Sequence, residues 1–134
     1  MQIIVCLDPK NGMMFNHRRQ SRDREVLNDI FKTNDMIYIT PYSKTLFNQY
    51  LEKVTIYEDV LDICKNNGIC FIEDKNLKPY ENDIDVITVY YWDKEYPADL
   101  YFDIDLTKWK EVSNEIIKGF SHEEINKIVY RKEL

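Results

Sequence analysis

The chain has 134 residues, with 24 acids against 18 bases, a net charge of −6 and 44% hydrophobic side chains. That length suits one domain spanning residues 1–134, which buries roughly two-thirds of its unfolded surface without a metal or disulfide staple. The acidic balance excludes a general nucleic-acid binder, which needs a concentrated basic footprint, and no apolar run approaches the roughly 18 residues of a membrane-spanning helix.

Residues 2–7, QIIVCL, form a near-continuous apolar run of the kind a central strand presents, and residues 8–12, DPKNG, turn the chain after it. Helix signals begin at Ser21, with Asp23 and Glu25 in the first turn, where carboxylates suit exposed amides. The helix should end near Thr33 or Asn34. Residues 36–40 predict a second strand, stopped by Pro41, and residues 42–51 a short helix carrying Leu46, Phe47 and Tyr50. Residues 54–57 read as a strand, 60–65 as a helical turn or two, and 69–72 as another short strand after Asn67-Gly68.

Residues 85–92 are the longest strand candidate, rich in β-branched and aromatic side chains. Residues 99–106 read as extended, with Leu100, Phe102, Ile104 and Leu106 on one face. Trp109 opens a last antiparallel hairpin that returns through Ile125 to Arg131, although residues 123–131 suit strand and helix equally. The fold class is therefore α/β: a mixed, mostly parallel sheet with flanking helices and a C-terminal antiparallel hairpin. Ile4, Val5, Leu27, Ile37, Ile39, Phe71, Ile87 and Val89 should be buried.

Asp23 carries the most chemical information. Val26, Leu27, Ile30 and Phe31 follow it at helical spacings, so it sits on or beside the inward stripe. An acid there is either a helix cap or a pocket carboxylate. As a pocket carboxylate it would take paired hydrogen bonds from an amidine-like heterocycle, and partial burial would raise its pKa. Met14 and Phe31 would close over the ring, with Leu27 on the pocket side. Arg18, Arg19 and Arg22 would instead screen Asp23 and keep it ionised.

The order of these pieces resembles a shortened dihydrofolate reductase. The resemblance rests on residues 3–7 as the first strand, Gly12-Met13-Met14-Phe15-Asn16 as a remnant of the mobile loop, and Asp23 where the family's pterin-binding acid would fall. It continues through Tyr96-Pro97-Ala98-Asp99, Tyr101-Phe102-Asp103 and Trp109. Two departures oppose the family's NADPH site. Thr40-Pro41-Tyr42-Ser43-Lys44 replaces Gly-Arg and a small hydroxyl residue, and the proline removes an amide donor. Glu73-Asp74-Lys75 replaces consecutive glycines and sets two acids where a pyrophosphate would approach. The expectation is a non-reductase ligand-binding or regulatory protein on a reductase-like scaffold, with no catalytic or cofactor-binding residues assigned; an NADPH-dependent pterin reductase is the weakest alternative.

The remaining signals are weaker. Cys6, Cys64 and Cys70 are odd in number and lack zinc-knuckle spacing, so free thiols in a reducing cytoplasm are expected, and the N-terminus lacks the order of a secretion signal. Asp103 and Asp105 lie two apart, as cation ligands on a strand would, but the sequence supplies no further ligands and a solvated edge is the plainer reading. His17 and His122 have no partner at fixed spacing, and Ser121-His122-Glu123 is no catalytic triad, since chain neighbours need not meet in space. Tyr91, Trp92, Tyr96 and Tyr101 lie among acids. They would form either an amphipathic cover over the sheet or an interface for a basic protein or a second copy of this chain.

Overall fold

The computed structural model describes residues 1–133. In chain order the elements are β1 (Gln2–Leu7), β2 (Gly12–Phe15), β3 (Arg18–Arg19), α1 (Arg24–Thr33), β4 (Ile37–Ile39), β5 (Val54–Ile56), α2 (Val60–Cys64), β6 (Ile69–Phe71), β7 (Val86–Tyr91), β8 (Leu100–Tyr101), β9 (Trp109–Lys118) and β10 (Glu124–Lys132). One sheet runs β5-β4-β6-β1-β7-β10-β9, and a small antiparallel sheet runs β3-β2-β8. From β5 to β7 every pairing is parallel, and β10 lies antiparallel to both β7 and β9. The predicted strands near residues 3, 36 and 69 are thus neighbours in one sheet.

Strand β1 shows why both faces are covered. Alternate side chains point to opposite sides. Ile3, Val5 and Leu7 enter a core with Val60, Leu61, Ile87 and Val89. Ile4 enters the other core, where α1 presents Val26, Leu27 and Ile30 to Ile39 and Phe71. A strand buried on both faces needs an apolar residue at nearly every position, hence QIIVCL. All eight residues expected in the core are buried.

Four elements depart from the local pattern. Residues 42–51 form no α-helix; Pro41–Thr45 and Asn48–Lys53 are separate 3-10 turns. Phe47, fully buried between them, packs edge-on against Phe31 and Phe71 at 6.0 and 5.1 Å, pinning the segment to the sheet. Residues 99–106 are extended only at Leu100–Tyr101, because Asp105 caps a 3-10 turn through Thr107 N–H. The longest strand is β9, ten residues, rather than β7 with six. Its polar sequence lies mostly exposed on the sheet edge, so it lacks the apolar signature of a strand. Of residues 123–131, all but Glu123 lie within β10, whose backbone is held between β7 and β9; pairing on both sides decides what helical spacing at Ile125, Ile128 and Val129 left open. Among the described residues no helix is long and apolar enough to cross a membrane.

Candidate functional site

Asp8, Asp23, Thr40, Ser43, Glu73 and His122 are the buried polar side chains of the described residues. Asp8, Thr40 and Glu73 come just after β1, β4 and β6, so this polarity gathers at the carboxyl ends of the parallel strands. That is where open α/β sheets form their ligand crevice. Asp8 braces the β1–β2 turn, accepting from the N–H groups of Lys10, Gly12 and Tyr96 and from Gln20 Nε2. Those donors outweigh burial and hold its carboxyl below the usual range.

Between β6 and the turn after β4 lies a charged knot. Arg19 grips Glu73 with two parallel bonds, Nε to Oε1 at 2.7 Å and Nη2 to Oε2 at 2.9 Å, and Ser43 Oγ donates to Oε2 at 2.6 Å. Tyr42 completes it, its hydroxyl accepting from Arg19 N–H at 2.8 Å and its ring lying 5.2 Å beneath the guanidinium. Asp74 accepts from Thr40 Oγ1 at 3.1 Å, and burial raises its pKa despite that bond.

A second polar cluster surrounds Asp23. Its Oδ1 accepts from Glu25 N–H, the cap of α1, and from Phe120 N–H, both at 2.9 Å. Its Oδ2 takes the N–H groups of Phe120, Ser121 and His122, the Ser121 hydroxyl, and His122 Nδ1 at 3.0 Å. The two readings of Asp23 thus merge: it caps the helix and is buried, but its burial is spent on the β9–β10 turn. The expectation of a raised pKa is corrected. Desolvation pushes the carboxyl up, and the backbone N–H groups together with His122 pull it well below the usual range. Arg18, Arg19 and Arg22 play no part in the hydrogen bonds that hold it ionised, since Arg19 is committed to Glu73.

Gly119 makes this clasp possible. A Cβ there would collide with His122 O, a backbone atom, and lie 2.8 Å from Asp23 Oδ2. Gly119→Ala is expected to cost about 2 kcal/mol by overpacking, checked by urea unfolding.

His122 reaches on to Ser21. Its Nε2 lies 2.9 Å from Ser21 Oγ and 3.2 Å from Tyr96 OH, and Trp92 stacks on the ring at 4.5 Å between centroids. No local pattern announces this meeting, because Ser21 and His122 are 101 residues apart. The clue available was Gly119 at the turn of a hairpin long enough to reach the Asp23 loop.

The other predicted site residues separate. Asp23 and Leu27 line a cleft of about 500 Å³ together with Arg22, Arg24, Leu46 and Phe120, whose ring carries the Arg24 guanidinium 3.5 Å above it. Met14 is buried in the core on the opposite side of the sheet, and Phe31 stacks on Tyr50 at 4.8 Å; neither lines that cleft. Of the aromatic set, Trp92 is buried against His122, Tyr91 and Tyr96 are half-buried, and Tyr101 is exposed, so the four do not form one open face. Asp103 accepts from the N–H groups of Leu77 and Lys78, and Asp105 caps its own turn. Among the described residues no group of three or more His, Cys, Asp or Glu is placed to hold a metal.

No protein-family model and no curated protein sequence matches the chain. Among solved structures it is similar to a dihydrofolate reductase from Enterococcus faecalis complexed with NADP(H) and RAB-propyl. The TM-score is 0.73 at 14% identity, over 99% of this chain and 96% of that one. With the mixed sheet, the C-terminal antiparallel pair and the helix that follows Asp23, that likeness establishes a divergent dihydrofolate-reductase-like fold.

Proposed function

We propose that this protein binds a small anionic heterocycle without reducing it, in the cleft between α1 and the segment after β4. The observation that carries the first half is the Arg19–Glu73–Ser43 knot. By resemblance to the reductases, the ends of β4 and β6 would receive the cofactor's phosphates. Here a carboxylate stands there, its bonds already taken, and a pyrophosphate would meet like charge and displaced side chains. The second half follows from the cleft walls. Leu27 and Leu46 offer apolar floor, Phe120 a ring face, and Arg22 and Arg24 positive charge, with Glu25 3.8 Å from Arg24 as a partly exposed counter-ion. Asp23 supports the site from behind by fixing Phe120 and Ser121 rather than by touching the ligand.

The alternative of a docking surface for a basic protein keeps only Tyr101 as an exposed ring from its original set, beside exposed Phe15 on the neighbouring small-sheet strand. It is the weaker reading. Titration calorimetry decides between them. NADPH is expected to give no saturable heat, while pterin-6-carboxylate, an anionic heterocycle, binds and loses affinity about tenfold on Arg22→Ala. Micromolar NADPH binding would reject the proposal.

A further inference from the structure

Ser21 and Asp23 flank Arg22 on one loop, and the β9–β10 turn inserts His122 between their side chains. Asp23 Oδ2 lies 3.0 Å from His122 Nδ1, and His122 Nε2 lies 2.9 Å from Ser21 Oγ. An ionised carboxylate only accepts, so Nδ1 must donate to it, and in the neutral ring Nε2 is left as the acceptor facing the serine hydroxyl. That is the orientation a general base needs toward a nucleophile. The ring cannot wander, since Trp92 covers one face and five hydrogen bonds from the turn fix Asp23 Oδ2.

Ser21 itself remains partly exposed. It borders a cavity of about 20 Å³ with Cys6, Leu27, Phe71 and Trp92, which shares Arg22, Asp23, Leu27 and Leu46 with the larger cleft. Such a volume admits roughly one methyl-sized group, and the cleft beyond has space for a bulkier leaving group.

We propose that Ser21 is a nucleophile activated by His122 and positioned by Asp23, and that the site hydrolyses short-chain acyl esters. Ser21 Oγ bonds to the ester carbonyl carbon as its proton passes to His122 Nε2 and the carbonyl π pair moves onto oxygen, returning when the leaving group departs. The imidazolium, facing Asp23, returns that proton to the leaving alkoxide as the ester C–O bond breaks. Water then attacks the acyl-serine, gives a proton to Nε2, and the same proton goes back to Ser21 Oγ as the acid departs. Tyr96 OH, 3.2 Å from Nε2, donates to Ser21 Oγ at 3.4 Å and so holds that oxygen beside the imidazole. This activity does not depend on the anionic-ligand reading, since its reacting groups are Ser21, His122 and Asp23 rather than the arginine rim.

Diisopropyl fluorophosphate and p-nitrophenyl acetate are the probes. The diisopropylphosphoryl mass is expected on the Ser21 peptide of the wild-type protein. Release of p-nitrophenolate is expected to be about 100-fold faster than in Ser21→Ala, the usual reach of a positioned general base. No adduct, an adduct on Ser121 or Tyr96 instead, or equal ester turnover in the two proteins overturns the proposal. Adduct mapping uses the unaltered chain, so it decides the matter even if the variant misfolds.

Discussion

Asp23→Ala lowers the unfolding free energy by about 4 kcal/mol, a large share of the roughly 5–15 kcal/mol of a typical domain. The side chain is fully buried and ends both α1 and the β9–β10 turn. Its loss removes a cap worth about 1 kcal/mol and leaves the N–H groups of Phe120, Ser121 and His122 facing a void, at about 1–3 kcal/mol for each that finds no other partner. Asn in its place loses nearly as much. One of its two ends must be an NH₂ group, and both ends of the carboxylate face donors. The urea midpoint of each variant checks this, and a shift under about 1 kcal/mol for Asp23→Ala would remove the clasp from the account of the fold.

The same residue sets an acid dependence. Its folded pKa is depressed, so its contribution to stability is fully present above the unfolded value near 4 and drains away as pH falls from there toward the lower folded pKa. Asp8, depressed by its own backbone donors, loses its contribution in the same direction. Acid unfolding of the wild-type protein should therefore steepen below about pH 4, and the Asp23→Asn variant should lack most of that added slope.

Glu73→Ala and Arg19→Ala each cost about 3 kcal/mol, because each leaves its partner charged and largely withdrawn from water. Glu73 is 8% exposed and Arg19 19%, with two short parallel bonds between them, so neither charge is easily re-solvated. Removal of Glu73 also strands the Ser43 hydroxyl, which is buried and donates to it. Replacing both partners by Ala leaves no stranded charge, so the double variant loses about 2 kcal/mol less than the two single losses added together. Urea unfolding of the four proteins gives the coupling. Strictly additive losses would mean that the pair is a surface contact of little energetic weight.

Much of the fold was written locally. QIIVCL can only be a strand covered on both faces, and Val26, Leu27 and Ile30 form a stripe that must meet a core; their burial follows from period and polarity alone. Strand β9 was harder to read, because an edge strand facing water has no apolar face to display, and β10 shows its strand character only through the partners on its two sides. The site depended on long-range pairing. Arg19, Ser43 and Glu73 were each visible as separate signals, but their union requires β4 and β6 to lie side by side. Ser21, Asp23 and His122 meet only because the ladder between β9 and β10 projects its turn onto the start of α1. Short-range periodicity reports which face of an element is buried; which distant polar group satisfies a buried carboxylate is fixed by strand order and hairpin length, and those exist only once the chain has folded.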